Sequence, residues 1–420
     1  MHATPPTHLW DVNTIRAQFP ALSQQIHGKP LNYLDNASTT QKPQVVLEAL
    51  HNYYLSSNAN VHRATHALAD QATEALEATR KHVQHFIHAA EPEEIIFTAG
   101  TTASINLVAQ SYGRVFLQKD DEVVISHMEH HANLVPWQML CEERGAQLQV
   151  IPITDAGELC MEAFDNLLTN RTRIVAITHV SNTLGTINPI QEIVTKAHAV
   201  GAVVLVDAAQ AIPHLRVDVQ ELGCDFLTFS AHKAYGPTGV GILYGKRPWL
   251  ESMPPYQGGG EMIQEVTLEK TSYNALPYKF EAGTPHIAGI VGLDAALTWL
   301  EEIGLSAIKA HEAALLTYAH HQLRPWADQI QYIGQAPDKV GILAFHIPGI
   351  HHADIGMLLD AQGIAVRTGH ACTQPLMQRF GIEGVVRASF AMYNTLPEVE
   401  QLVAAVARLL DRKRSALPTG

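Results

Sequence analysis

The stretch DFLTFSAHKAYGPTGVG, residues 225–241, places a lysine directly after a short apolar run. Phe226–Phe229 has the composition of a buried strand, and a segment rich in glycine and proline follows Lys233. A lysine at the end of a strand is usually only a solvated charge. Its neighbours Ser230 and His232 are both hydrogen-bond donors, so the rest of the sequence must decide whether Lys233 has a chemical role.

Around this stretch, short β-branched runs alternate with helical patterns from about residue 90 onward. EEIIFTAG, DEVVISHMEHHAN, TRIVAITHV and AVVLVDAAQ predict strands, and TTASINLVAQSY predicts a helix. Another helix is predicted after Pro189, because Ile190, Ile193, Val194 and Ala197 share one face. Strands that alternate with helices predict an α/β fold with a mainly parallel sheet flanked by helices on both faces.

The pattern changes at about Val291. GLDAALTWLEEIG and LSAIKAHEAALLTYAHHQL are long amphipathic helices, strands such as VGILAFHIP follow, and PEVEQLVAAVARLLDRKR is a final helix. These features predict a large domain of residues 31–290 and a smaller α+β domain formed by residues 1–30 and 291–420. The last residues, SALPTG, are expected to be a frayed tail.

Polar side chains follow five of the predicted strands. Ligands of open α/β sheets gather at the carboxyl ends of the strands, so these side chains are expected to meet there. They are Thr101, Thr102, His130, Asn182, Asp207, Gln210, Ser230, His232 and Lys233.

Composition excludes several classes of function. The chain of 420 residues carries a formal net charge of −13 and has no basic cluster, which argues against nucleic-acid binding. No apolar run is long enough to cross a bilayer, and the first residues do not have the pattern of a signal peptide. The four cysteines are widely spaced with no CxxC pair, so the reducing cytoplasm is the expected compartment. Although there are 24 histidines, there is no HExxH motif, and no metal site is predicted.

Three groups at the sheet edge have complementary chemistry. Asp207 ends an apolar run, and a buried carboxylate needs a cation, although a helix cap or a structural ion pair is the commoner explanation for such a residue alone. Lys233 in a partly desolvated site can form a Schiff base with an aldehyde. Thr101 and Thr102 open a helix whose N–H groups suit a phosphate, and ordinary N-capping explains them equally well. Together the three groups describe pyridoxal 5'-phosphate, although none is specific alone.

Segments throughout the chain resemble the cysteine desulfurases among the fold-type I pyridoxal-phosphate enzymes. They are YLDNASTTQKP, NVHRATHALADQAT, FTAGTTASINLVA, MEHHANLVPWQ, VSNTLGTINPI, VDAAQAIPH, SAHKAYGPTGVGILYGK, EAGTPHIAG, VRTGHACTQPLM and VRASFAMYNT. The resemblance extends from about Phe19 to Leu410. It points to the group that contains the desulfurases of the Suf system, the cysteine sulfinate desulfinases and the selenocysteine lyases. The lysine segment and the RTGHxC segment are its specific parts, whereas the others are shared with class V aminotransferases in general.

The resemblance implies how each residue would contact the cofactor. Lys233 would hold it through a Schiff base, Asp207 would pair with the pyridine nitrogen, and His130 would stack on the ring. Gln210 would reach the ring hydroxyl. The phosphate would be bound by Thr101, Thr102, Ser230 and His232, together with Thr284 from the second subunit of a homodimer.

The resemblance also implies the reaction. Arg387, with Asn182 and Arg367, would bind the carboxylate of L-cysteine. Cys372 would receive the sulfur as a persulfide while L-alanine forms, and a small sulfur-acceptor protein would then take the sulfur for iron–sulfur cluster assembly or other sulfur transfer. A lone cysteine is most often a core residue, but Cys372 lies in a polar loop near Arg367 and His370, and cationic neighbours favour a thiolate.

Several alternatives stay open. Selenocysteine and cysteine sulfinate would use the same residues, transamination would not need Cys372, and a non-catalytic binding protein could keep the fold. Ala371 and His286 depart from the commonest family pattern, in which histidine precedes the cysteine and asparagine follows GTP. The segment from Cys372 to Arg387 lacks a long Gly/Ser-rich insertion, which predicts a poorly exposed persulfide.

Overall fold

The computed structural model describes residues 11–63 and 65–416, which form 17 strands and 15 α-helices. The strands are β1 (Gln25–Ile26), β2 (Lys29–Pro30), β3 (Asn32–Tyr33), β4 (Ile95–Thr98), β5 (Glu122–Ser126), β6 (Gln147–Ile151), β7 (Thr172–Thr178), β8 (Val203–Asp207), β9 (Phe226–Ser230), β10 (Gly241–Gly245), β11 (Ile263–Val266), β12 (Thr271–Tyr273), β13 (Gln331–Ile333), β14 (Ile342–His346), β15 (Ile364–Ala365), β16 (Arg367–Gly369) and β17 (Val385–Ser389).

The helices vary from single turns to six turns. They are α1 (Val12–Arg16), α2 (Gln44–Asn52), α3 (Ala67–Phe86), α4 (Thr101–Val108), α5 (Arg114–Phe116), α6 (Val135–Arg144), α7 (Met161–Leu167), α8 (Ile190–Ala199), α9 (Val219–Leu222), α10 (Arg247–Ser252), α11 (Ile287–Ile303), α12 (Leu305–Leu323), α13 (His352–Asp360), α14 (Gln374–Phe380) and α15 (Leu396–Ala416). Within the described ranges, no helix is both long and apolar enough to cross a membrane.

A seven-stranded sheet forms the centre of the molecule. Its strand order is β4-β10-β9-β8-β7-β5-β6, and all neighbouring pairs are parallel except the two that involve β10. Every residue of β5, β8, β9 and β10 is buried. In β8, Val204 and Val206 belong to one apolar cluster, whereas Val203 and Leu205 belong to another. The side chains alternate between two helical layers, which confirms the predicted α/β sheet flanked by helices.

A second sheet lies in the C-terminal part of the chain. Its strand order is β13-β14-β17-β16, and all its pairs are antiparallel. A third apolar cluster joins strand residues such as Phe345 and Val386 to Leu315 of α12 and Val406 of α15. The division into residues 31–290 and residues 1–30 with 291–420 stays a proposal. Residues 1–10 and 417–420, including most of the SALPTG tail, lie outside the described residues.

The helix boundaries differ from the sequence patterns in two places. The helix predicted over TTASINLVAQSY is α-helical only as far as Val108, and a π-helical turn follows over Ala109–Gly113. The helix predicted from Gly292 begins at Ile287, because Ile287, Ala288 and Ile290 are buried and extend its apolar face. The predicted apolar face of α8 is confirmed, since its four residues are all buried.

Candidate active site

One cavity of about 430 Å³ lies at the carboxyl edge of the large sheet. Most of the sequence-predicted site residues line it, which are Thr101, Thr102, His130, Asn182, Asp207, Ser230, His232, Lys233, Arg367, Cys372 and Arg387. Two others do not line it. Gln210 is buried beside it and donates from Nε2 to the Ala37 carbonyl at 2.5 Å. Thr284 is exposed and lines a separate cavity with His286.

The lysine lies where the quoted stretch leaves the sheet. Strand β9 ends at Ser230, and Ala231–Lys233 form a single 3₁₀ turn, so the lysine side chain emerges at the sheet edge. Burial lowers the pKa of Lys233, whereas Asp207 opposes that shift. A lysine amine in such surroundings is more readily present in its neutral, nucleophilic form.

Asp207 is the last residue of β8 and is only 4% exposed. One carboxylate oxygen accepts a hydrogen bond from the Ala209 amide at 3.0 Å, and burial raises the pKa of the group while Lys233 opposes the rise. Within the described part of the chain, no lysine, arginine or histidine nitrogen lies within 4.0 Å of this carboxylate. A buried carboxylate with so little neutralisation fits a protonated ring nitrogen.

Helix α4 begins at the edge of the cavity. Ser230 Oγ is 2.8 Å from both the backbone nitrogen and the hydroxyl of Thr101, which ties the start of α4 to the end of β9. Thr102 is exposed at the next position. His232 contacts Thr39 Oγ1 through Nδ1 at 3.2 Å, and burial lowers its pKa to about 4. Hydroxyls, a neutral imidazole and a helix N-terminus form a chemically suitable seat for a phosphate.

His130 lies in a turn that is held by the buried carboxyl group of Glu129. Glu129 accepts hydrogen bonds from Asn133 Nδ2 at 2.7 Å and from the Thr178 amide at 3.0 Å. Burial raises the pKa of Glu129 to about 8. His130 itself accepts from the Ala132 amide at 3.0 Å, and burial with the charge of Lys233 lowers its pKa to about 3. Its ring therefore stays neutral and fixed in orientation, as stacking on a flat ligand requires.

Arg387 lies on β17 and is 2% exposed. Its guanidinium donates to the Asn182 carbonyl at 2.7 Å and to Ser38 Oγ at 2.7 Å, and it lies 3.2 Å from Asp35. Its Nε is buried without a hydrogen-bond partner among the described residues. Arg387 is therefore positioned by protein groups, and its side chain lines the cavity where an anionic ligand could bind.

Arg367 and Asn182 have additional contacts that the sequence did not indicate. Arg367 is about half exposed, and it donates to Ser38 Oγ at 2.9 Å and pairs with Asp35 at 3.0 Å. Asn182 donates from Nδ2 to the Ala371 carbonyl at 2.8 Å. Its amide nitrogen therefore holds the loop of residues 370–373 that carries Cys372, called the cysteine loop below.

The cysteine loop turns outward at two consecutive residues. Ala371 and Cys372 have φ angles of 48° and 58°, a left-handed conformation that is uncommon outside glycine. The Cys372 amide donates to His370 Nδ1 at 3.2 Å, and its carbonyl accepts from the His131 amide at 2.8 Å. Cys372 is exposed in the single chain, whereas Cys141 and Cys224 are buried. The Cys372 residue is thus exposed in the single chain, and the poor exposure expected of its persulfide stays a prediction.

The segment DNASTTQK, residues 35–42, was missed as a source of functional residues. Asp35 and Ser38 hold both arginines, the Ala37 carbonyl holds Gln210, and Thr39 and Thr40 contact the His232 carbonyl. The dense run of short polar side chains after a strand was the available signal.

Among the residues that the structure describes, no group of three or more His, Cys, Asp or Glu could hold a metal ion.

These residues fit pyridoxal phosphate. The poorly neutralised carboxylate suits the ring nitrogen, the low-pKa lysine suits the aldehyde, and the start of α4 suits the phosphate. The Arg387 guanidinium lines the same cavity and suits the carboxylate of an amino acid.

Comparison with known proteins agrees with this chemistry. A family model described as aminotransferase class V matches residues 32–402. A cysteine desulfurase of Dickeya dadantii is 51% identical over 406 residues, which are 96% of this chain and 98% of that protein. A cysteine desulfurase of Synechococcus elongatus is 50% identical over 95% of this chain, which spans 64% of that longer protein.

Solved structures of cysteine desulfurases are similar to this chain over nearly its whole length. The cysteine desulfurase CsdA of Escherichia coli has a TM-score of 0.89 and 41% identity, over 96% of this chain and 99% of that one. The chain therefore belongs to the aminotransferase class V family of pyridoxal 5'-phosphate enzymes.

Proposed function

We propose that this enzyme removes sulfur from L-cysteine, forming L-alanine and a persulfide on Cys372. The observation that carries the proposal is that Cys372 lines the same cavity as Lys233 and Asp207. Of the four cysteines, only Cys372 is exposed, and only Cys372 is among the residues of this cavity. The relatives named cysteine desulfurase support this activity.

The residues of the cavity support the proposed cofactor roles. Pyridoxal 5'-phosphate, when bound at Lys233, supplies the electron sink for chemistry at the substrate Cα. Asp207 would balance the charge of the ring nitrogen, and His130 would hold the ring by stacking. Thr101, Thr102, Ser230 and His232 would bind the phosphate, and Thr284 is proposed to reach the phosphate of a second subunit. Gln210 is proposed to reach the ring hydroxyl, which requires its amide to turn from the Ala37 carbonyl.

Lys233 and Arg387 act on the amino acid itself. The Arg387 guanidinium donates to the carboxylate of L-cysteine, with Arg367 adding positive charge near the opening of the cavity. The backbone carbonyl of Asn182 accepts a hydrogen bond from Arg387 and so fixes the arginine in place. The side-chain amide nitrogen of Asn182 already donates to the Ala371 carbonyl. Lys233, once free of the cofactor, takes the Cα proton, and burial favours its neutral form for this task.

Cys372 completes the reaction. Its sulfur attacks the sulfur of the substrate, so that an S–S bond forms and the substrate Cβ–S bond breaks. The electron pair of the broken bond stays with the three-carbon product, which gains protons and leaves as L-alanine. The terminal sulfur of the persulfide is then available to a small acceptor protein, for iron–sulfur cluster assembly or other sulfur transfer.

The partners and the compartment are proposals as well. A homodimer is proposed because Thr284 and His286 line a cavity apart from the catalytic one and need a second chain to reach a phosphate. A cytoplasmic location is proposed because the four cysteines are free.

Incubation with L-cysteine tests the proposal, with alanine and sulfide measured separately. We expect both products from the wild type, no bound cofactor adduct at position 233 in Lys233→Ala, and full cofactor binding without sulfur release in Cys372→Ala. Cys160→Ala, at a half-buried cysteine away from the cavity, is the matched control and should behave as the wild type.

Substrate choice is read in the same assay with selenocysteine and cysteine sulfinate. Faster turnover of either one would change the assigned substrate, and a keto acid in place of alanine would indicate transamination. Full-rate sulfide formation by Cys372→Ala would refute the acceptor role. A wild type without a borohydride-reducible bond at Lys233 would refute the enzyme assignment altogether.

A further inference from the structure

Four donors converge on the carbonyl oxygen of His232, at the peptide bond that carries Lys233. They are the Thr40 amide at 3.2 Å, Thr39 Oγ1 at 3.0 Å, Thr40 Oγ1 at 3.2 Å and Lys42 Nζ at 2.8 Å. A carbonyl oxygen has two lone pairs, so this concentration of donors is unusual. Of the four, Lys42 Nζ makes the shortest contact, and it is the only one that becomes a charged donor when it is protonated.

Lys42 lies behind the lysine turn and not in the cavity. It does not line the cavity that contains Lys233, and its other close contact is the Thr40 carbonyl at 2.7 Å. No carboxylate lies within 4.0 Å of its Nζ in the described part of the chain. Burial lowers its pKa to about 7. Desolvating a lysine against carbonyls alone is costly, so the local structure must gain from the contact.

The peptide needs such a restraint because of where it lies. Ala231–Lys233 form one 3₁₀ turn, and the amides of Ala234 and Gly236, which follow it, donate to the Ala231 carbonyl and not to that of His232. The His232 carbonyl therefore has no partner in regular secondary structure. Without the donors of residues 39–42, the plane of the His232–Lys233 peptide would be free to rotate and the lysine stem would follow it.

We propose that Lys42 is a positioning residue for the cofactor lysine, acting through the carbonyl of His232. It fixes the direction in which the Lys233 side chain leaves the turn and thereby the orientation of the group bound to it. The same segment, residues 35–42, also positions Arg387 through Asp35 and Ser38. One segment therefore fixes the positions of Lys233 and Arg387 relative to each other. The inference rests on Lys233 holding the cofactor.

Three variants of the cofactor-loaded protein test the role. Lys42→Met removes the charged donor and keeps the apolar stem, and Lys42→Arg restores a charged donor. Lys339→Met is the matched control, because Lys339 is also a half-buried lysine with a lowered pKa, about 8, whose Nζ donates to a carbonyl, that of Gly334, at 2.7 Å. Thermal unfolding of each variant reports whether it is folded.

The readouts are the circular dichroism of the cofactor band per bound cofactor and the rate of cofactor release. We expect Lys42→Met to lose much of the cofactor circular dichroism and to release cofactor about tenfold faster, the size expected for losing a charged hydrogen bond. Lys42→Arg should restore both quantities toward the wild type, and Lys339→Met should change neither. A merely structural lysine would alter thermal stability without altering the circular dichroism of bound cofactor.

Wild-type circular dichroism and release rate in folded Lys42→Met would overturn this inference alone. Should Lys42→Met fail to fold, Lys42→Gln decides, because its neutral amide is one bond shorter and so weakens the same contact. It should shift both readouts in the same direction by a smaller amount, and no shift would overturn the inference. A wild type with no reducible bond at Lys233 would overturn the proposed function and this inference together.

Discussion

His131 contacts the loop of the sulfur acceptor at two points. Its backbone amide donates to the Cys372 carbonyl at 2.8 Å, and its Nε2 accepts from the Gln374 amide at 3.1 Å. Burial, with a contribution from nearby His370, lowers the pKa of His131, so its ring stays a neutral acceptor. Because His131 follows His130 directly, one turn holds both His130, which lines the cavity, and the loop of Cys372.

Replacing His131 by alanine should loosen this loop. We expect the Gln374 amide to exchange hydrogen about fivefold faster, since one hydrogen bond contributes about 1 kcal/mol. The kcat for sulfur release should fall with little change in KM, because the arginine site is untouched. His131→Gln keeps an acceptor and should recover part of both effects. Unchanged exchange at Gln374 in His131→Ala would show that the side chain does not restrain the loop.

At the level of elements, the phosphate seat depends on how closely β10 approaches the start of α4. Gly100 precedes α4 with a φ of 149°, and Gly241 opens β10 beside it. A Cβ added to Gly241 would lie 2.3 Å from Gly100 Cα. The first turn of α4 can therefore sit against the sheet only because position 241 has no side chain.

Gly241→Ala should move the start of α4 and weaken cofactor binding. Overpacking against backbone typically costs about 1–3 kcal/mol, so we expect the cofactor Kd to rise about tenfold or more. Gly245→Ala, at the other end of the same strand, is the control. Its added Cβ would meet the Leu250 side chain at 2.7 Å, away from the phosphate seat, so it should lower stability while leaving the Kd near its wild-type value. Equal Kd values for the two variants would contradict the role of this close approach.

For the molecule as a whole, buried histidines couple folding to pH. His179, which follows β7, is buried, its Nδ1 has no hydrogen-bond partner among the described residues, and burial lowers its pKa to about 4. The unfolded chain protonates this histidine below about pH 6.5, whereas the folded chain does not. Between these two values the unfolded state binds more protons, so the stability associated with His179 falls as the pH falls.

The difference in the free energy of unfolding between the wild type and His179→Gln isolates the effect of His179, because both proteins contain the same buried carboxyl groups. As the pH is lowered from about 6.5 toward 4, the free energy of unfolding of the wild type should fall relative to the variant by up to about 1.4 kcal/mol per pH unit. Denaturant unfolding at several pH values measures this difference. A pH-independent difference for His179→Gln would show that the ring is protonated in the folded state.

Local sequence was sufficient for much of the architecture. The alternation of β-branched runs and amphipathic helices predicted the parallel sheet, and eight of the nine polar residues predicted after the strands line the cavity. These predictions succeeded because strand and helix periodicities depend on neighbours in the chain, and parallel strands bring their carboxyl ends to one edge. Lys233 and Asp207 could thus be identified from the runs that precede them.

Tertiary structure alone decided which groups hold these residues in place. Asp35 meets Arg387 across 352 positions of sequence, after β3 has paired with β15 and Asp35 has bridged to Ser389. Lys42 reaches the peptide of Lys233 in the same way, across 190 positions. The outward turn of Cys372 depends on contacts with His131 and Asn182. No local pattern encodes such contacts, because each depends on packing that forms only when distant segments fold together.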